Sequence, residues 1–419
     1  MYRWLQRFFG PGSLSDEQYQ RERTRILESA PIPVLWLFGK TGSGKSSVIR
    51  YLTASQEVDI GSGFRPQTLN SRQFDFPSSD QPVLRFLDTR GLGEGEYDPT
   101  EDIRKFNDAA HVMIVTVRVM DHALDEVVRP LGEFRKAQPH RPVLLALTCL
   151  HEAYPGSQHP SPDPFAVPSR WDGVVDDLRR NIEQHAKRFA GLIDRAIPID
   201  LTMPEEGFRE PNFGGDRLKS AILESLPAAY RQTFMSLDAA MRPLRDLNDR
   251  RAMSFVISYS TLAATAAAVP TPWIDIPLVL AIQSHLVYRL RDVYGQRVDA
   301  RVLRRLCAAA GGRVFAKLLV REALKFIPFA GVAANAALAY AYTYGLGKAF
   351  CWYFGEVRAG NAPTEDEVKT VWREQLSIAA RRWSPAGSND PPVPAADEHS
   401  AMPSPVESPT AETLPESDT

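Results

Sequence analysis

The feature that most constrains this 419-residue chain is the run Gly39-Lys40-Thr41-Gly42-Ser43-Gly44-Lys45-Ser46, which fits G-x-x-x-x-G-K-[ST] in full. An apolar stretch, Val34–Phe38, precedes it, and a helical pattern, Lys45–Leu52, follows it. That context predicts a strand, a tight loop and a helix. Glycine at 39, 42 and 44 lets the backbone curl until successive N–H groups face one centre, a nest for anionic oxygens. The helix after it adds the positive end of its dipole. Lys45 is expected to reach β- and γ-phosphates, and the Ser46 hydroxyl to ligate Mg²⁺. The expected nucleotide-contacting set is Gly39, Lys40, Thr41, Gly42, Ser43, Gly44, Lys45, Ser46 and Ser47.

A second signal is Asp88-Thr89-Arg90-Gly91, directly after an apolar run, Val83–Leu87. An acid at a strand end is placed to hold a water on Mg²⁺, and the Gly91 N–H to meet a γ-phosphate. Between the two motifs lies Gly61–Thr68, a turn-rich loop. Thr68, just before an expected strand Asn70–Phe76, is the candidate for a second metal-bound hydroxyl that senses the γ-phosphate. The expected metal set is therefore Ser46, Thr68 and Asp88, and the catalytic set Lys45, Thr68, Gly91 and Arg90.

Further apolar runs at His111–Val119, Pro142–Cys149 and Arg195–Leu201 alternate with helical patterns at Thr100–Asp108, Leu124–Lys136, Trp171–Ile193 and Gly215–Leu226. Strands alternating with helices imply βαβ units, a mostly parallel sheet and helices on both faces. From Ala228 the strand signals stop. Ala228–Arg251 reads as one arginine-rich helix, Ala252–Ile274 and Phe326–Gly347 carry no charge before Asp275 and after Lys325 respectively, and Arg289–Lys325 is strongly basic. The fold class is thus an α/β P-loop nucleotide-binding domain followed by an all-α, partly hydrophobic domain. The expected organisation is an N-terminal helical segment (1–30), the α/β domain (31–227), a helical domain with two hydrophobic segments (228–360), a terminal helix (361–383) and a Pro/Ser-rich acidic tail (384–419) too polar to fold.

Residues 33–226 resemble the G domain of the TrmE–Era-like GTPases in the translation-factor-related class, on GKTGSGKSS, the Thr68 loop and DTRG in that order. The P-loop wording is also similar to that of immunity-related and plastid-import GTPases. The helical part, with AAAVPTPWIDIPLVLAIQSHLVYRLRDVYG, resembles a bacterial domain of unknown function that follows such G domains. The resemblance implies GTP with Mg²⁺ as ligands, slow hydrolysis to GDP, and a regulatory switch that works by self-association or with an activating protein. The family's base-reading motif is [NT]KxD. Here the equivalent strand ends Thr148-Cys149-Leu150-His151-Glu152, without the lysine and with no aspartate in its slot. Thr148 and, one place late, Glu152 are the candidates for the base side. Leu201-Thr202-Met203 stands where the last family motif would be. Leu92 follows DTRG, so no glutamine positions the water; Arg90, Glu94, Glu96 or a second protomer are the alternatives, with Arg90 read either as a cis arginine finger or as a solvated turn residue. Gly42 stands in the slot of the asparagine found in potassium-stimulated members, so activation by potassium is not expected.

The net charge of −2 gives no global basic field, and nucleic acid is not an expected partner. The three cysteines lack disulfide or zinc spacing, in keeping with a cytoplasmic location. Tyr2, Trp4, Leu5, Phe8 and Phe9 beside Arg3 and Arg7 fit either an interfacial anchor or a docked helix. The basic stretch between the two uncharged segments argues against a simple two-span topology. It fits either hairpins at the cytoplasmic face of an anionic membrane or a soluble helical core. Dynamin-like membrane remodelling, a non-hydrolysing nucleotide-binding scaffold and, since the base-reading motif is lost, an ATPase are the rival functions.

Overall fold

The computed structural model describes residues 16–55, 64–66, 71–89, 109–154, 158–161, 163–165, 173–241, 247–268, 275–296, 330–361 and 363–382. Seven strands form one sheet: β1 (Val34–Phe38), β2 (Phe64–Pro66), β3 (Ser71–Phe76), β4 (Leu84–Thr89), β5 (Val112–Arg118), β6 (Val143–Thr148) and β7 (Arg195–Pro198). Their spatial order is β2-β3-β4-β1-β5-β6-β7. β4, β1, β5, β6 and β7 run parallel, while β3 pairs antiparallel with β4 and β2 with β3. The short β2 corrects the reading of Gly61–Thr68 as a loop throughout. It is an edge strand of three residues ending in Pro66, a residue that edge strands tolerate because one side needs no ladder donor.

The described helices are α1 (Asp16–Ser29), α2 (Lys45–Thr53), α3 (Asp125–Ala137), α4 (Asp176–Arg188), α5 (Gly215–Ser225), α6 (Ala228–Met241), α7 (Leu247–Ala268), α8 (Asp275–Val293), α9 (Ala330–Arg358) and α10 (Glu365–Arg382). α3 opens with Asp125 and Glu126 and closes with Arg135 and Lys136, and α4 opens with Asp176 and Asp177 and closes with Lys187 and Arg188, charges that complement the helix dipole at both ends. The helix expected over Ala228–Arg251 is described as α6 up to Met241 and as α7 from Leu247; residues 242–246 lie outside the described residues. The expected strand Arg195–Leu201 is shorter, because Asp200 leaves the ladder to bridge Phe213.

Alternation along the central strands sends side chains to two cores. Trp36, Phe38, Val115 and Leu147 face α3 and α4, through Val127, Phe134, Leu178 and Ile182. Leu35, Leu37, Ile114 and Ala146 face α2 and α5, and that core continues without a break into α7, α8, α9 and α10. α1 joins the same core with Tyr19 and Ile26.

This continuity explains the uncharged Ala252–Ala268 stretch. Its residues up to Ala264 are buried against neighbouring helices, Ser254, Ser258 and Ser260 included. Close packing is built in: a Cβ on Gly347 would lie 2.7 Å from Val256, so α9 approaches α7 where only glycine fits. No helix among the described residues is long and apolar enough to cross a membrane. The N-terminal aromatic run, most of the basic stretch and the acidic tail lie outside the described residues.

Candidate nucleotide site

The loop of residues 39–44 leaves the carboxyl end of β1, the central strand at which the sheet order reverses direction, and enters α2. In an open α/β sheet that is the place for a ligand crevice. A Cβ on Gly39 would sit 2.4 Å from the Thr116 carbonyl oxygen and 2.7 Å from Ser43 Oγ, so the first glycine is required by close approach to β5. Gly44 caps α2 with φ 95°, in the left-handed region that glycine adopts at little cost. Ser43 is buried, and its hydroxyl lies 2.6 Å from Thr116 Oγ1. Thr41, Gly42 and Ser46 are exposed at the rim, and Ser47 is half-buried.

Lys45 Nζ donates to the carbonyls of Gly39 (2.6 Å) and Lys40 (2.9 Å), which folds the ammonium over the mouth of the loop. Lys40 itself is turned away. Its side chain pairs with Asp121 at 3.1 Å, so only its backbone faces the nest.

Asp88 is the penultimate residue of β4, beside β1 and in register with Leu37. Its Oδ1 is buried and takes no hydrogen bond among the described residues. Burial pushes the carboxyl up to about 6, against the lowering pull of Lys45 and Arg72. Arg72 stands opposite Asp88 on β3 and was not foreseen from the sequence. An unpartnered carboxylate oxygen next to a P-loop lysine and an exposed Ser46 hydroxyl fits a hard divalent cation, which takes few protein ligands and completes its shell from phosphate and water. Among the described residues there is no cluster of three or more His, Cys, Asp or Glu that would bind metal by itself. Thr68, Arg90 and Gly91, with Glu94 and Glu96, lie outside the described residues.

On the opposite side, Thr148 donates its hydroxyl hydrogen to the Ser43 carbonyl at 2.9 Å, tying the end of β6 to the loop. The chain then turns through Cys149 at φ 55° into a 3₁₀ turn, Leu150–Ala153. Glu152 does not stand free for a ligand: Arg118, at the end of β5, holds it in an ion pair. His151 pairs instead with Asp200, two residues beyond β7. Arg118, His151 and Asp200 were not singled out from sequence. An arginine ending an otherwise apolar strand and an acid just past the last strand were the available signals.

Residues 34–149 match a protein-family profile described as "50S ribosome-binding GTPase". The fold of this segment is that of a P-loop G domain. The profile spans a little over a quarter of the chain. No curated protein matches. Among solved structures, the bacterial selenocysteine-specific elongation factor EF-Sec is similar at 14% identity and a TM-score of 0.30, covering 52% of this chain and 30% of that one. A probable GTP-binding protein engB is similar at 17% and 0.29, covering 46% and 97%. The G domain of the T. maritima FeoB iron transporter is similar at 16% and 0.27, covering 46% and 98%. The chain thus spans under a third of the elongation factor's length, and likenesses this weak identify no function.

Proposed function

We propose that the chain binds GTP with Mg²⁺ at residues 39–46 and hydrolyses it to GDP and phosphate, and that the helical region responds to the change. The observation that carries this reading is the buried Asp88 oxygen, which takes no hydrogen bond among the described residues and lies within electrostatic reach of the phosphate-loop Lys45. The loop's N–H groups and Lys45 bind and orient the β- and γ-phosphates. Ser46 and Asp88 would hold Mg²⁺, directly or through water, with Thr68 as a further ligand; the ion supplies neutralisation of charge on the transferred phosphoryl group. Gly91 would donate its N–H toward the γ-phosphate, and Arg90 would stabilise developing charge.

The response has a route. β3 and β4 join the segment that holds Thr68 to the segment that holds Arg90 and Gly91. Their far ends meet the helices. Ser258 on α7 donates to the Gln81 carbonyl at 2.8 Å, and Arg289 on α8 pairs with Asp80 at 3.2 Å. A shift of the hairpin on nucleotide binding would therefore press on α7 and α8.

The test is phosphate release from GTP by the full chain in Mg²⁺, under multiple turnover, beside Lys45→Ala. Release that drops at least about a hundredfold in the variant supports the reading. Tight binding without release would leave a nucleotide-binding scaffold, and turnover that survives in Lys45→Ala would sink the assignment of the site.

A further inference from the structure

The family motif reads the base with an aspartate carboxylate, and in this chain that slot holds His151. Two ion pairs occupy the region. Arg118 holds Glu152 through both carboxylate oxygens, and the Arg118 guanidinium lies 4.0 Å from where a Cβ on Gly42 would sit, against the phosphate loop. That places a cation where the lysine of the motif is missing at Cys149, and it commits Glu152 to the arginine.

Asp200 is buried, and its Oδ2 accepts from the His151 backbone N–H at 2.9 Å and from Nδ1 at 2.8 Å. With the hydrogen on Nδ1, the lone pair is on Nε2. Nε2 takes no hydrogen bond among the described residues, and the side chain is 35% exposed. The ring of Phe208 stands 5.3 Å away, tilted 58°, and closes one side. The 3₁₀ turn that carries His151 begins two residues after Thr148, whose hydroxyl is bonded to the phosphate loop.

Resting on the nucleotide reading above, we propose that His151, held by Asp200, reads the purine base through a single acceptor, Nε2, where the family uses a carboxylate. Arg118 replaces the missing lysine along the loop. The difference has a chemical signature. A carboxylate accepts from both N1–H and the 2-amino group of guanine. One imidazole lone pair accepts only N1–H, and it meets the N1 lone pair of adenine with repulsion. Hypoxanthine keeps N1–H and lacks the amino group, so an imidazole reader treats inosine and guanosine triphosphates nearly alike while rejecting ATP.

The experiment is displacement of a ribose-labelled fluorescent GDP from the full chain in Mg²⁺ by GTP, ITP and ATP. Wild type is compared with His151→Ala, Asp200→Asn and Lys45→Ala, each checked by thermal melting. The expected result is ITP within about threefold of GTP, with ATP weaker by about tenfold to a hundredfold. Both His151→Ala and Asp200→Asn are expected to bring ATP within a few-fold of GTP, with a modestly lowered but still cooperative melt for His151→Ala, which takes one donor from the buried Asp200. ITP weaker than GTP by about thirtyfold or more would show that a carboxylate reads the base and would overturn the proposal. So would equal binding of GTP and ATP by wild type, or discrimination that survives in His151→Ala. Probe binding that is absent in wild type, or unchanged in Lys45→Ala, would instead overturn the nucleotide reading on which the proposal rests.

Discussion

The β3–β4 hairpin has two ends, and their surroundings differ. At the phosphate end, Asp88 keeps a buried carboxylate oxygen that takes no hydrogen bond among the described residues, opposite Arg72 and near Lys45. At the helical end, Gln81 is buried under α7 with its backbone carbonyl satisfied by Ser258, and its carboxamide takes no hydrogen bond among the described residues. On α8, which also carries Arg289, His285 stacks on Tyr19 at 4.5 Å, and burial, with Arg23 and Arg289 nearby, pushes the imidazole down to about 4. Each end thus holds a titratable group away from its ordinary value, in opposite senses. At the first, a group is left needing a ligand. At the second, polar groups are enclosed by the protein's own helices, which makes a seam between the hairpin and α7 and α8.

The sharpest way to break this comparison is Asp88→Asn. Mg²⁺-dependent phosphate release is expected to fall by about a hundredfold or more, because the carboxylate charge at the metal position is gone. The same change is expected to stabilise the nucleotide-free protein. A carboxyl raised from 3.8 to about 6 favours the protonated form on folding, so its contribution is intact below 3.8 and is lost as pH rises through about 6. The substituted carboxamide does not titrate, and near pH 7.5 it recovers up to about 3 kcal/mol. Denaturant melts of the two proteins at pH 5 and 7.5 decide it: a stability difference that does not grow with pH would show that Asp88 is not held in a desolvated place.

His285→Phe probes the other end with the stack on Tyr19 kept. A histidine lowered from 6.5 to about 4 favours the neutral form on folding. Its contribution is present above 6.5 and is lost as pH falls through about 4, up to about 3 kcal/mol. Relative to wild type, the phenylalanine variant is expected to gain stability as pH drops from 6.5 to 4.5, the reverse of the trend for Asp88→Asn. Parallel trends in the two variants would remove the contrast between the two ends.

How much of this was written in the sequence follows from how far apart the interacting residues are. The P-loop was legible because Gly39, Gly42, Gly44, Lys45 and Ser46 act together within one turn of chain, and backbone geometry demands those residue types there. Asp88 was legible as an acid closing an apolar strand. The strands of the central sheet were legible because burial on both faces leaves continuous apolar runs such as Val143–Thr148. The edge strand Phe64–Pro66 was not, since three residues at an edge carry no periodicity. The uncharged Ala252–Ala268 stretch was ambiguous between lipid and core, because both environments select the same residues; only the packing partners on α8, α9 and the hairpin distinguish them. Arg118, His151 and Asp200 come from three strand ends spread over more than eighty residues, and no local pattern joins them.

The smallest expected effects test whether the seam transmits anything. Ser258→Ala removes a donor and leaves the Gln81 carbonyl buried without a partner, which costs about 1–2 kcal/mol. Arg289→Ala removes an ion pair between two exposed side chains and is expected to cost about 0.5 kcal/mol or less. If the hairpin only rests on α7, both variants keep the wild-type difference in hydrogen exchange between the GTP-analogue and GDP states. If it is the link, Ser258→Ala is expected to shrink that difference at α7 amides while leaving it intact at α2, which carries Lys45 and Ser46 of the proposed site. Arg289→Ala does so less, because a solvated pair is a looser coupling than a buried hydrogen bond. The ranking matters more than either magnitude. A larger loss of coupling in Arg289→Ala would move the point of transmission from the buried hydrogen bond on α7 to the surface of α8.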